Sequence, residues 1–322
     1  MKKVNWCIVG QGVISKQMAD ALMKEHGEFY AAAGRTLEKA QAFAEKYKVE
    51  HCCTIDEVWE NENIDIVYIA TPHTYHHEYI MKALHHGKHV LCEKAITVNQ
   101  AQLEEAMALA KEKNLVLMEA MTIFHMPIFK KAKELVESGA IGKLKMIQIN
   151  FGSCKEYDVT NRFFSKELAG GALLDIGTYA LSFVRWFLHE QPDTILTTMI
   201  PFETGVDEMS GIILRNSVDE MATVTLTMRA KLPKKGIIAG ELGYIEICEY
   251  PRSASFMIKM TKDGKEEVIE AGMSEDALLY EVQDMEAALA NPQAEQTLAL
   301  SRDVSELMWK VRKQWGMTYP FE

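Results

Sequence analysis

Four stretches of the 322-residue chain carry side chains whose types and spacing could do chemistry. In Gly10-Gln11-Gly12-Val13-Ile14-Ser15, two glycines directly follow the apolar run Val4–Val9. A G-x-G-x-x-small turn between a strand and a helix brings backbone close to a pyrophosphate and aims free helix N–H groups at it. Gly10, Gly12, Val13 and Ile14 are therefore candidate dinucleotide-binding residues, the plainer alternative being a tight turn with packing glycines. An acidic residue about 20 residues further on would hold a ribose 2′-hydroxyl. Here the chain reads Gly34-Arg35-Thr36, with no carboxylate before Glu38. Arg35 can pair with a 2′-phosphate and lay its guanidinium plane on an adenine, which favours NADP over NAD while leaving NAD possible. Its alternative is a solvated surface charge.

Thr71-Pro72 and Cys92-Glu93-Lys94 each follow an apolar run that reads as a parallel strand. Ligands of open parallel sheets bind outside the carboxyl ends of the strands, so Thr71, Pro72, His73, Glu93 and Lys94 are expected to face the cofactor, with His76 a further candidate. Lys94 can donate a hydrogen bond to a substrate oxygen and stabilise its developing charge. The alternative is a structural ion pair with Glu93. Further on, Gly170-Gly171-Ala172-Leu173-Leu174-Asp175-Ile176-Gly177-Thr178-Tyr179 places a carboxylate and a phenol four residues apart. On a helix starting near Ala172 they share a face, with Tyr179 as acid/base and Asp175 orienting or charge-tuning its neighbours. Tyrosines on helices more often belong to cores or interfaces. Six histidines fall within residues 73–89, and His73 with His77 has metal-ligand spacing. No third ligand is evident, so histidines lining a cleft are the better reading and no metal is expected.

The elements that must position these groups follow from periodicity. Val4–Val9, Phe29–Ala33, His51–Cys53, Ile64–Ala70, His89–Cys92 and Leu115–Met118 read as strands. They alternate with helices over Ile14–His26, Leu37–Tyr47, Ile55–Trp59 capped by Thr54, His76–His86 and Gln100–Lys113. Such alternation predicts a doubly wound parallel sheet. The rhythm stops near residue 121. After a helix at Ile128–Ser138, Leu144–Asn150, Met221–Met228 and Tyr244–Ile247 alternate at period two, as in an open, largely antiparallel sheet with turns such as Asp263-Gly264. Helices over Ser274–Ala290 and Ser301–Trp315 close the chain. The expectation is α/β: a Rossmann dinucleotide-binding domain over residues 1–121, then an α+β substrate-binding and oligomerisation domain over 122–322.

Composition sets the outer limits. At about 150 residues per domain the length suits two domains. Apolar residues at 48% and charged residues at 25% exclude disordered and disulfide-scaffold classes. Residues 1–150 carry 18 Lys+Arg against 19 Asp+Glu, and 151–322 carry 17 against 27. A net charge of -11 argues against nucleic acid as a partner. No apolar run approaches the ~20 residues of a membrane helix, and MKKVNWCIVG shows no cleavage-site pattern. A cytoplasmic protein is expected, with its six cysteines reduced and mostly buried.

These residues resemble the Gfo/Idh/MocA oxidoreductases. The likeness runs from Gly10-x-Gly12 through Ala70-Thr71-Pro72 and Gly87-Lys88-His89-Val90-Leu91-Cys92-Glu93-Lys94 to Gly170–Tyr179. Gly171–Tyr179 and Glu203-Thr-Gly-Val-Asp207 look most like the dihydrodiol/D-xylose dehydrogenase branch. The resemblance implies hydride transfer between a nicotinamide and a sugar, cyclitol or diol carbon. It also implies a C-terminal sheet that holds substrate on one face and associates as a dimer or tetramer through the other. By position Lys94 matches the lysine of Glu-Lys-Pro, Asp175 the family's Asp and Tyr179 its proton donor, while Arg162 joins Tyr179 at the substrate. The chain departs from the pattern at Ala95 for Pro and His73 for Asn. Where the branch has Glu-Ala-x-Trp-x-Arg-Phe, it reads Glu119-Ala120-Met121-Thr122-Ile123-Phe124-His125. Without proline, the turn after Lys94 lacks a fixed φ and is expected to be less rigid. Two other classes fit the motifs: an NAD-dependent glycosidase working by transient oxidation, and a non-catalytic dinucleotide-binding sensor.

Overall fold

A computed structural model describes residues 4–292 and 297–322. The chain forms two compact units. The first holds the chain up to Ala120 together with Leu278–Ala299, and the second holds Met121–Ala277 with Leu300–Glu322.

In the first unit, strands β1 (Trp6–Val9), β2 (Ala31–Gly34), β3 (His51–Thr54), β4 (Ile66–Ile69), β5 (His89–Glu93) and β6 (Leu117–Ala120) form one parallel sheet ordered β3-β2-β1-β4-β5-β6. Helices α1 (Val13–His26), α2 (Leu37–Tyr47), α3 (Ile55–Glu60), α4 (His76–His85) and α5 (Gln100–Lys113) connect them in turn. Every residue of β1, β2, β4 and β6 is buried, which explains the unbroken apolar runs. The order reverses between β1 and β4, the position where open α/β sheets take their ligands. Thr54 and Glu57 form a reciprocal capping box on α3, as Thr54 suggested.

Strands β1, β2, β4 and β6 each start two residues later than expected. Tyr30 donates its N–H to the Trp6 carbonyl while Phe29 packs against Phe43 and Tyr47, so β2 begins at Ala31. After α5, Asn114 adopts the left-handed conformation and Leu115 N–H returns to Ala110 O, so the helix exit takes residues assigned to a strand. Helix α9 (Ala277–Ala288) belongs to this unit although it lies far along the chain. The Trp6 indole donates to Glu286 at 2.8 Å, and Gln283 donates to Glu25 at 2.9 Å. Neither contact follows from periodicity.

The second unit contains helices α6 (Thr122–His125), α7 (Pro127–Glu137), α8 (Thr178–Phe187) and most of α10 (Thr297–Trp315). Its strands are β7 (Leu144–Gly152), β8 (Thr194–Pro201), β9 (Asp207–Arg215), β10 (Met221–Thr227), β11 (Leu232–Gly240), β12 (Gly243–Cys248), β13 (Ser255–Met260) and β14 (Glu266–Glu270). They form an eight-stranded sheet ordered β14-β13-β12-β11-β7-β10-β9-β8. All neighbours pair antiparallel except β7 with β10, which run parallel with Ile149 opposite Val224. One face is apolar and covered: Ile147, Ile149 and Phe151 are buried. The opposite face leaves Met146, Leu196, Ile200 and Ile213 exposed. Cys154 and Cys248 are also exposed, contrary to the expectation of mostly buried thiols, although all six cysteines are free. No described helix is long and apolar enough to cross a membrane.

Candidate active site

The turn after β1 is shaped by close approach. Gly10 has φ +107°, and a Cβ there would lie 2.4 Å from the carbonyl oxygen of Ala70. Its N–H donates to Ala33 O, while Ala70 N–H donates to Val9 O, so the ends of β1, β2 and β4 converge. Gly12 caps α1 without a side chain, and a Cβ at Gly12 would meet nothing within 4 Å. Space is thus open beside Gly12 at the N-terminus of α1, where the free first-turn N–H groups of a helix can cradle a phosphate. Ser15 and Thr71 each keep a buried hydroxyl with no hydrogen-bond partner among the described residues. Val13 stands 76% exposed on the first turn. At the end of β2 the exposed Arg35 follows Gly34, and Gln11 seals the strand end by donating to Ala33 O at 2.5 Å. These residues fit a dinucleotide, and the exposed guanidinium beside a strand end without a carboxylate fits a 2′-phosphate.

Lys94, half-buried, stands just past β5, and its loop is tied from four side chains. His73 contacts Lys94 O through Nε2 at 3.1 Å. His76 contacts Ala95 O through Nδ1 and Thr71 O through Nε2, both at 2.9 Å. Glu93 accepts the Lys94 N–H at 3.3 Å, and Glu119 accepts the Ile96 N–H at 2.9 Å. The Lys94–Ala95 peptide is cis. The expected looseness at Ala95 is thus met by hydrogen bonds that fix the turn without proline. Glu93 also accepts a hydrogen bond from the Tyr68 hydroxyl, whose pKa burial pushes up, with the Glu93 charge adding to it. Burial pushes His76 down, against the carbonyls of Thr71, Ala95 and Ile96. A neutral imidazole has one N–H to give, so His76 binds one carbonyl strongly and the other only when protonated. Among the described residues no cluster of three His, Cys, Asp or Glu could hold a metal ion. His77 instead faces Glu105 at 3.0 Å.

In the second unit, residues Leu173–Gly177 wind as one π-helical turn that runs into α8. A straight α-helix from Ala172 is therefore corrected to a wider turn, the kind that recurs at functional sites. Asp175 and Tyr179 still lie within about one turn. Asp175 is buried, and Arg162 approaches its Oδ1 at 3.7 Å from a largely exposed position, stacked on Phe163. Tyr179 is half-buried with its ring 6.3 Å from Phe151, which in turn meets Tyr250 edge-on. The Tyr250 hydroxyl is buried and has no hydrogen-bond partner among the described residues. Burial raises its pKa, and nearby Tyr179 adds to the rise. Thr122 and Phe124, at the positions of the branch's Trp and Arg, are buried. Thr122 donates to Pro251 O, and Phe124 stacks on Trp186. They pack the interior of their own unit and present no cation.

Each unit thus assembles its own set: Gly10, Gly12, Val13, Ile14, Arg35, Thr71, Pro72, His76, Glu93 and Lys94 in the first, Arg162, Asp175 and Tyr179 in the second. What the motifs did not reveal is that His73 and His76 grip the Lys94 loop through backbone carbonyls. Only their crowding within residues 73–89 hinted at a role.

Comparison with known proteins adds to this geometry. Residues 4–121 match the model for the oxidoreductase family with an NAD-binding Rossmann fold, and residues 129–246 match the GFO/IDH/MocA C-terminal domain. The chain is 33% identical over 334 residues to trans-1,2-dihydrobenzene-1,2-diol dehydrogenase of Xenopus tropicalis, covering 98% of this chain and 99% of that protein. It is 31% identical over 301 residues to the D-xylose 1-dehydrogenase (NADP(+)) of Hypocrea jecorina, covering 82% of this chain and 76% of that one. Among solved structures, a 3-ketoreductase from Actinomadura kijaniata in complex with NADP and TDP-benzene superposes with a TM-score of 0.87. Its identity is 23%, and 97% of this chain and 98% of that chain are covered. That similarity shows a common fold.

Proposed function

This chain belongs to the Gfo/Idh/MocA oxidoreductase family, and we propose that it transfers hydride between NADP and a hydroxyl or carbonyl carbon of a sugar, cyclitol or vicinal diol. The observation that carries the reading is Lys94, held at the carboxyl end of β5 by His73, His76, Glu93 and Glu119 in the unit that bears the phosphate cradle. Relatives named as a diol dehydrogenase and an NADP-dependent xylose dehydrogenase support the substrate class and the cofactor preference. In this division of labour residues 1–121 serve the cofactor and the later chain mainly the substrate.

A bound nicotinamide supplies the hydride acceptor or donor. Gly10, Gly12, Val13 and Ile14 hold the pyrophosphate through backbone, and Arg35 holds the 2′-phosphate. Lys94 donates a hydrogen bond to the reacting oxygen and stabilises the negative charge that grows there. Tyr179 removes the hydroxyl proton on oxidation and returns it on reduction. Asp175, with Arg162 beside it, sets the local charge and helps orient substrate hydroxyls. His76 works through the turns it grips. The buried Thr122 and Phe124 supply no cation in place of the branch's arginine, so Arg162 is the candidate cation on the substrate side.

Calorimetric titration with NADPH and NADH, followed by turnover against aldoses, inositols and vicinal diols, tests the reading. Tighter NADPH binding and reduction of NADP by at least one member of the panel are expected. Absence of nicotinamide binding contradicts the reading, and hydrolysis of a nitrophenyl glycoside without net cofactor reduction points to the glycosidase class. We also propose a dimer or tetramer through the outer sheet face, where Leu196 and Ile200 are 61% and 56% exposed. Sedimentation velocity showing only a monomer contradicts that assembly.

A further inference from the structure

The π-turn bearing Asp175 is preceded by Gly170 and Gly171, and both are gripped by residues distant in sequence. Asp207, the first residue of β9, is fully buried and accepts the Leu173 N–H through Oδ2 at 2.7 Å. Gly171 has φ +114°, and a Cβ there would stand 2.2 Å from Asp207 Oδ1. The carboxyl group therefore fills space that any other residue at 171 would need. From the other side the buried hydroxyl of Tyr319 donates to Gly170 O at 2.8 Å. Tyr319 is itself anchored: its N–H donates to Glu322 at 2.9 Å, and Arg312 lies 4.8 Å over its ring. Arg312 forms a two-pronged pair with Glu322 at 2.6 and 2.7 Å.

A buried carboxyl group is a costly way to hold a backbone N–H. Burial pushes Asp207 up to about 7, although the amides of Leu173, Ala172 and Asp207 and the charge of Arg312 all favour its ionised form. Burial raises the pKa of Tyr319, and the nearby charge of Asp207 adds to the rise while Arg312 opposes it.

We propose that Asp207 and Tyr319 are positioning residues that fix the Gly170–Leu173 segment, and with it the placement of Asp175 and Tyr179. The proposal rests on reading Asp175 and Tyr179 as groups that act on substrate. Asp207 sets the first turn through Leu173, and Tyr319 sets the preceding peptide through Gly170. Loosening either grip shifts the phenol and carboxylate from the reacting carbon while leaving the phosphate cradle on the first unit intact.

Hydrogen exchange of the full-length chain, alone and with NADPH, is the test, run beside NADP-dependent turnover of whichever aldose, inositol or vicinal diol the wild type oxidises. In Asp207→Ala and Tyr319→Phe, amides of residues 170–179 are expected to exchange about tenfold faster, with those of residues 6–26 unchanged. The turnover number should fall about tenfold with NADPH affinity preserved. Asp207→Asn keeps an acceptor for Leu173 and should restore protection. Tyr319→Phe removes a single oxygen, so it reports even if Asp207→Ala does not fold. Unchanged exchange at residues 170–179 in the folded variants overturns the proposal, whatever Tyr179 does. Full turnover in Tyr179→Phe defeats the reading of Tyr179 instead, and is scored separately from the exchange result.

Discussion

Lys94 and Tyr179 are held in opposite ways. The Lys94 loop is tied by groups from neighbouring strand ends of one parallel sheet, His73 and His76 after β4, Glu93 on β5 and Glu119 on β6. The segment leading to Tyr179 is tied by Asp207 and Tyr319, which lie 34 and 149 residues beyond their partners. The first arrangement comes with the sheet, because parallel strands bring their carboxyl ends together. The second must be built by long-range packing, and it uses a buried carboxyl group to do so.

That difference decides what could be read from sequence. The Rossmann unit was legible: buried strands give unbroken apolar runs, Gly10 and Gly12 mark the turn, and Lys94 follows its strand directly. The start of β6 was missed because the exit of α5 consumes Asn114 and Leu115. In the second unit Leu144–Asn150 and Met221–Met228 showed clear period-two alternation. The β7–β10 pairing was invisible, since alternation fixes which side chains face inward but not which strands are neighbours. Membership of α9 in the first unit was equally hidden. The π-turn at Leu173–Gly177 has no propensity signature, and the grip on it comes from residues no local window contains.

The largest effects are expected at the reacting groups. Tyr179→Phe should lower the turnover number by about 10²–10⁴-fold, the range for loss of a general acid or base. Lys94→Ala should lower it by about 10²–10³-fold, as for loss of one donor to a developing oxyanion. Stopped-flow turnover with thermal melts checks both, and unchanged melting temperature is expected for Tyr179→Phe. At the cofactor, Arg35→Ala should weaken NADPH about 10–100-fold, the worth of a charge-assisted hydrogen bond, with NADH affinity little changed. Equal loss for both cofactors would assign Arg35 to the surface.

A smaller effect is expected one step away from Lys94. His76→Ala takes the imidazole N–H from the one carbonyl it serves in its neutral form, so urea unfolding should show a loss of about 1–3 kcal/mol. Turnover should fall more than NADPH affinity, because the Thr71 and Lys94 turns lose their shared clamp.

The smallest effect is the pH dependence of the second region. Asp207, at about 7 instead of 3.8, keeps its proton in the folded chain where the unfolded chain has lost it. The stability it contributes is fully present below the unfolded value and is lost as pH rises through about 7. The melting temperature of the wild type should therefore drop by a few degrees relative to Asp207→Asn between about pH 5 and about pH 9. Parallel pH profiles of the two proteins would show that the carboxyl group is not strained by its burial.

We propose that a lysine fixed at the carboxyl end of β5 serves hydride transfer between NADP and a polyhydroxylated substrate. The most direct test is nicotinamide absorbance in a steady-state assay of the wild type and Lys94→Ala, with NADP and a panel of aldoses, inositols and vicinal diols. Reduction of NADP by the wild type with at least one member is expected, slowed about 10²–10³-fold in the variant. Full turnover by Lys94→Ala, or no cofactor reduction by the wild type across the panel, would contradict it.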